Sequence, residues 1–357
     1  MATPGLAGPL VANPHPFAID LGSTGKIYVT GAVTGLGLWQ DHAFPGDRET
    51  RADLSNAQVF VQNSEGPVQF FVQAGAYTLP SLGAAYVPVG HAADLTYGYV
   101  PVAFVKLIPS AHFNIMAGLL PSLQGAESTF SFQNMNINRG LLWNQENAIN
   151  RGVQINVTSG PLTASVSLND GFFSGKYNWL SGLLSYAVTP RDTIALVGAG
   201  NLGSTAKSSF ATPFLLNNGQ LYNAIWTHGS GPWTIQPYLQ YERVPANARL
   251  GIPVGASTWG AALLARYTFS SAWSVAGRAE YEKSSGSAAR GTPNLLYGPG
   301  SRAWSLTLTP TFQRRIFFAR AEFAYVRADG IMPGAALGPT FSSRTQSRAA
   351  IEAGILF

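Results

Sequence analysis

The sequence predicts an all-β protein: a transmembrane, antiparallel, up-and-down β-barrel of about 16 strands, with short periplasmic turns and long extracellular loops. Three observations predict it. Only 11% of the residues are charged and 46% are hydrophobic, whereas soluble domains carry about 25% charge. No run of roughly 18 apolar residues offers a membrane helix. Tight turns alternate with long polar segments along the chain. A closed barrel then remains as the way to cross a bilayer with every backbone N–H and C=O paired.

The elements follow in chain order. Residues 1–25, rich in Pro and Gly, read as an irregular lead-in, and residues 26–357 as a single barrel domain. Tight turns fall at 63–67, 109–110, 159–161, 189–192, 229–232, 270–272 and 313–315. Their Gly and Pro residues supply the φ values such turns need. Longer segments lie near 39–52, 78–96, 121–151, 170–177, 202–219, 242–256, 285–301 and 329–346. Seven short connections alternating with eight long ones give the even strand number of single-chain bacterial barrels. Both chain ends then lie on the short-turn side.

Period-two patterning assigns the faces. In 162–169, Leu162, Ala164, Val166 and Leu168 oppose Thr163, Ser165, Ser167 and Asn169. In 233–241, Trp233, Ile235, Leu239 and Tyr241 oppose Gln236 and Gln240. In 259–269, Trp259, Ala261, Leu263, Ala265, Tyr267 and Phe269 oppose Arg266 and Thr268. In 273–282, Trp273, Val275, Gly277, Ala279 and Tyr281 oppose Arg278, Glu280 and Glu282. In 316–326, Phe317, Ala319, Ala321, Phe323 and Tyr325 oppose Arg320 and Glu322. The last run places Ala349, Ile351, Ala353, Ile355 and Phe357 opposite Arg348 and Glu352. The apolar faces end in aromatics, as interfacial girdles do. A lumen ringed by about sixteen strands is wide enough for water.

Other chemistries are disfavoured. The chain has no cysteine, which removes disulfides and thiolate sites. His15, His42, His91, His112 and His228 lack metal-ligand spacing, and no serine sits in G-x-S-x-G. Gly198–Gly203 matches G-x-G-x-x-G but lacks a following helix and an acidic partner. The net charge of +5 comes without a dense basic cluster, so no nucleic-acid partner is expected. Met1-Ala-Thr-Pro shows no secretory signal; the chain reads as a mature form with an added start Met.

The segment 125–152 (GAESTFSFQNMNINRGLLWNQENAINRG), with NDGFF at 169–173, YNWL at 177–180, GPWT at 231–234 and PNLLYGPG at 293–300, resembles the putative β-barrel porin-2 family, also described as OmpL-like. The likeness runs from about Phe17 to Phe357. It implies a bacterial outer-membrane barrel acting as a porin, with no catalytic residues to transfer; the reading of the chain is passive diffusion of small hydrophilic solutes, without chemistry or cofactor. Partners would be the bilayer, lipopolysaccharide, the barrel-assembly machinery and, through small outward residues (Ala319, Ala321, Ala349, Ala353), further copies of the chain. A channel selective for sugars or organic acids, and a plugged structural or adhesive barrel, are the competing readings.

By position, segment 121–151 is the third long loop, which sixteen-stranded porins commonly fold into the bore. Glu127, Arg139, Glu146 and Arg151 are therefore the constriction candidates. Arg266, Arg278, Glu280, Arg320, Glu322, Arg348 and Glu352 are the lumen-wall candidates, with a structural pairing role expected for most.

Overall fold

A computed structural model describes residues 8–22 and 25–357. Seventeen strands occur among them. They are β1 (Phe17–Asp20), β2 (Lys26–Gln40), β3 (Thr50–Asn63), β4 (Val68–Tyr77), β5 (Val102–Ser110), β6 (Phe113–Pro121), β7 (Ile149–Ser159), β8 (Leu162–Asn169) and β9 (Trp179–Thr189). There follow β10 (Asp192–Asn201), β11 (Gln220–Ser230), β12 (Trp233–Val244), β13 (Ala256–Thr268), β14 (Trp273–Ser284), β15 (Arg302–Arg314), β16 (Phe317–Asp329) and β17 (Thr345–Leu356). One short helix, α1 (Val89–Leu95), lies in the second long loop. Each strand from β2 to β17 pairs antiparallel with its sequence neighbours, and β17 returns to β2. The result is a closed barrel of sixteen strands, as the turn pattern predicts.

Closure is made at the chain end. Phe357 N–H donates to the Gly31 carbonyl at 3.0 Å, and Gly31 N–H donates to the Phe357 carbonyl at 2.9 Å. The Phe357 ring occupies the space where a side chain at residue 31 would sit, so only glycine fits there. The segment expected to be irregular carries β1, which pairs with the start of β2 (Phe17↔Val29 to Asp20↔Lys26).

The turns differ from expectation by a residue or two. β5 continues to Ser110, so that connection is Ala111–His112, with the ladder register shifting between Leu107 and Ser110. Pro109 has no N–H to offer the ladder. Gly160-Pro161 and Gly231-Pro232 each join two strands directly, and each glycine has φ +56°. A positive φ followed by proline suits a type II′ hairpin turn, whose twist matches the strands.

The outer face is apolar. Val33, Val105, Ile155, Leu196, Leu263, Leu308 and Ile351 are exposed on it. Aromatics bound this band at both ends. Toward the long loops, Tyr222–Tyr241, Trp259–Tyr281 and Trp304–Tyr325 pack ring to ring. Toward the short turns, Trp233–Tyr267 and Trp273–Phe312 do the same. Trp259 and Tyr267 are eight residues apart on β13, about 26 Å along the strand. Tilt reduces that to about 20 Å across the membrane, near the height of a barrel's apolar band.

The inner face is less uniformly polar than the alternation suggests. Phe60, Phe71, Phe104 and Phe318 point inward and pack with Phe130, Phe132 and Leu10 into an apolar cluster inside the barrel. Loop residues fill that side of the lumen.

Candidate functional site: the lumen and its infolded loop

The third long loop, residues 122–148, lies inside the barrel and is bonded to the wall. Its backbone is fastened by carboxylates and guanidinium groups that the strands present inward. Glu280 accepts from Leu141 N–H at 3.0 Å and Leu142 N–H at 3.3 Å, and a side chain at residue 140 would displace the Glu280 carboxyl. Glu322 accepts from Asn138 N–H at 3.0 Å and the Asn138 amide at 2.7 Å. Arg320 donates to the Asn134 carbonyl at 2.9 Å and the Ser131 carbonyl at 3.0 Å, and is ion-paired with Glu352. Glu352 accepts from Ser131 Oγ at 2.6 Å. Arg348 donates to the carbonyls of Ser81 and Ala84 in the second long loop.

Arg278 joins wall and loop most completely. It donates to Glu127 at 2.6 Å, to the Asn138 carbonyl at 2.8 Å and to Thr307 at 3.3 Å, and it pairs with Glu280 at 3.2 Å. Alternate residues of one strand share a face, so Arg278 and Glu280 on β14 are side by side. These six wall residues are all buried. Their chemistry is to satisfy the hydrogen-bonding groups of an irregular chain held in the bore. Arg266 stands apart from them. Near the short-turn end it donates to the Pro9 carbonyl at 2.8 Å, while Val11 N–H donates to Gln313 at 2.8 Å. Residues before β1 therefore enter the lumen from that end.

The four loop candidates separate. Glu127 is held by Arg278 and by Gly140 N–H at 2.8 Å. Arg139 is fully buried, with its guanidinium 4.5 Å from the Trp143 ring centroid and a bond to the Thr129 carbonyl. It positions Trp143 and lines neither main cavity. Glu146 accepts from Tyr238 Oη. Burial pushes its carboxyl up to about 8, against the opposing Tyr238 bond. Arg151 departs from expectation. It lies on β7 with the outward parity of Val153 and Ile155, paired to Asp170 at 2.7 Å with its guanidinium 4.0 Å from the Phe173 ring centroid. The loop ends at Ala148, so Arg151 obeys strand alternation and faces away from the lumen.

Among the described residues, two sizeable cavities lie within the lumen. One of about 740 Å³ opens toward the short turns, with Gln62, Gln69, Lys106, Thr227 and Gln236 among its walls. The other, about 500 Å³, lies among the long loops, between Tyr97, Phe172, Phe214, Leu295 and Tyr297. Trp143 and Glu146 line both. Gly125, with φ +77°, packs against the Glu146 carboxyl where no side chain would fit. Trp143 was not among the expected constriction residues; its neighbours in the amide-rich loop were the only signal. Among the described residues, no group of three His, Asp or Glu is placed to hold a metal ion.

The architecture resembles that of solved outer-membrane barrels. Outer-membrane-expressed OmpT of Vibrio cholerae superposes with a TM-score of 0.62 at 9% identity, covering 96% of this chain and 100% of that one. The outer-membrane channel DcaP of Acinetobacter baumannii gives 0.60 at 10% identity, covering 94% and 99%. A trimer form of in-vitro folded OmpT from Vibrio cholerae gives 0.60 at 9% identity, covering 93% and 99%. No curated protein matches the chain. The model of one family, putative beta-barrel porin-2, OmpL-like, matches residues 26–357. A sixteen-stranded barrel with an infolded loop and that match over nearly its whole length establish that this chain belongs to the putative beta-barrel porin-2 family, a porin of the outer membrane.

Proposed function

We propose that solutes diffuse passively along a route from the loop-side cavity, past Trp143 and Glu146, into the cavity at the short-turn end. The observation that carries this reading is that those two residues alone of the loop's aromatic and charged side chains border both spaces. Water and small hydrophilic solutes would move down their gradient; no bond is made or broken and no cofactor is needed. The constriction is set by Glu146 and Trp143. Glu127 and Arg139 hold the loop that presents them.

Single-channel recording in a planar bilayer tests this. Steady current whose ion selectivity changes in Glu146→Gln supports the route, and current indifferent to that change places the path elsewhere. A second reading, a plugged barrel, is favoured by the bonds of Pro9 and Val11 to the wall; it requires no current until those residues are removed.

The partners are proposals of the same kind. Arg243, Lys283, Arg302 and Arg327 are exposed with outward parity at the loop-side strand ends. Lys283 is directly opposite Arg302, and Asp329 lies opposite Arg302 and near Arg327. The cluster is just beyond the aromatic girdle, where it suits the phosphates of lipopolysaccharide. Ala319, Ala321, Ala349 and Ala353 continue into Gly35 and Gly37 across the seam. That strip of small residues, with exposed Ile351 standing among them, would suit contact with another copy, the arrangement suggested by the trimer form of OmpT.

A further inference from the structure

The loop-side cavity has an unusual lining. Its walls are mainly apolar and aromatic, including Tyr97, Trp143, Phe172, Phe214, Leu295 and Tyr297, and the only charged side chains on it are Glu146 and Glu282. Among the described residues, no Lys or Arg lines it. Most buried lumen carboxylates have donors: Glu127, Glu280, Glu322 and Glu352 are each bonded to guanidinium, hydroxyl or backbone N–H groups. Glu282 differs. It is 2% exposed, and its Oε1 has no hydrogen-bond partner among the described residues. Glu242, on the other side of β13, likewise has both oxygens without a partner, but Gly219 packs against it and it does not line the cavity.

We propose that this cavity is a binding subsite for organic ammonium solutes, compounds with one cationic nitrogen and an apolar body. The inference rests on the pathway above and adds the class of solute that it favours. A buried carboxylate without a donor is costly to leave unmatched. A cation entering from the loop side supplies the partner that Glu282 lacks and favours the ionised form of its carboxyl. Aromatic faces attract alkylated ammonium groups as well as apolar surface, and a volume of about 500 Å³ lies in the range of small-molecule sites. A sugar brings no positive charge to stabilise an ionised carboxyl there, and an organic acid would oppose its ionisation.

Block of single-channel current by benzyltrimethylammonium, added on the loop side, tests the subsite. Its charge is independent of pH. The expected result is block by this cation, with glucose and benzenesulfonate at the same concentration ineffective. Glu282→Gln should weaken the block about ten-fold, equivalent to about 1.4 kcal/mol. Equal block by cation and sulfonate overturns the proposal, as does block unaltered in Glu282→Gln. If that variant does not fold, the cation-to-sulfonate comparison in the unaltered protein decides. Steady current with no preferential block rejects the subsite and leaves the pathway standing; absence of current under all conditions rejects both.

Discussion

Glu146 borders both cavities, and burial controls its charge. With its carboxyl pushed up to about 8, it is neutral at pH 7 and ionised at pH 9. The permeability of cations relative to anions should therefore rise between pH 7 and 9, read from the reversal potential in a salt gradient. Glu146→Gln should flatten that profile. The sign for stability is opposite. A carboxyl that titrates near 8 when folded and about 4.3 when unfolded stabilises the fold fully below about 4.3, and that contribution is lost as pH rises through 8. Tyr238 donates to Glu146, and Glu127 and Glu280 lie near enough to oppose its ionisation. Arg278 is the second decisive residue. Arg278→Ala leaves Glu127 without its guanidinium partner and Glu280 without its ion pair. Each unmatched carboxylate costs about 1–3 kcal/mol, so the loop should loosen before the barrel does. Limited proteolysis should cut within 122–148 in this variant and spare the unaltered protein.

At the scale of elements, the loop and the segment before β1 both lie in the lumen, bonded to the wall. The loop has little regular structure, two single turns at Ser131–Gln133 and Leu142–Gln145, and owes its shape to the wall. Phe130 and Phe132 anchor one end in the apolar cluster, and Glu280 and Glu322 anchor the other through backbone N–H groups. Replacing residues 128–138 by a short Gly-Ser link should raise unit conductance by about two-fold or more, since the bore then approaches the open channel of a sixteen-stranded barrel. Unchanged conductance would mean that the loop does not narrow the path. Position in the chain was enough to identify this loop as infolded. It was not enough to identify its contacts, because a segment without periodicity carries no facing rule. The expected roles of its charges were accordingly uneven: Glu146 borders both cavities, Glu127 and Arg139 are bound up in holding the loop, and Arg151 belongs to a strand.

At the scale of the whole molecule, the barrel is inverted relative to a soluble protein, apolar outside and polar within. Leu263 lies midway between the girdle aromatics Trp259 and Tyr267 and is exposed to lipid. Leu263→Arg should destabilise the barrel by about 2–4 kcal/mol, measured by urea-dependent folding into lipid vesicles. Thr227→Arg, on the lumenal cavity wall, should cost far less because water is available there. Equal losses at both sites would contradict the assignment of faces.

What the sequence determined by itself was the closed barrel: strand number, chain ends, which face meets lipid, and where the long loops fall. Those follow from local rules, the two-residue period of a strand and the φ preferences of Gly and Pro, and each is written within a few neighbouring residues. Only the tertiary structure decided what fills the lumen. Phe60, Phe71, Phe104 and Phe318 break the polar inner face because Phe130, Phe132 and Leu10 arrive from distant parts of the chain to cover them. Arg278, Glu280, Arg320 and Glu322 meet loop backbone more than 130 residues away along the chain. Such partners are brought together by closure of the barrel, and no spacing in the sequence records them.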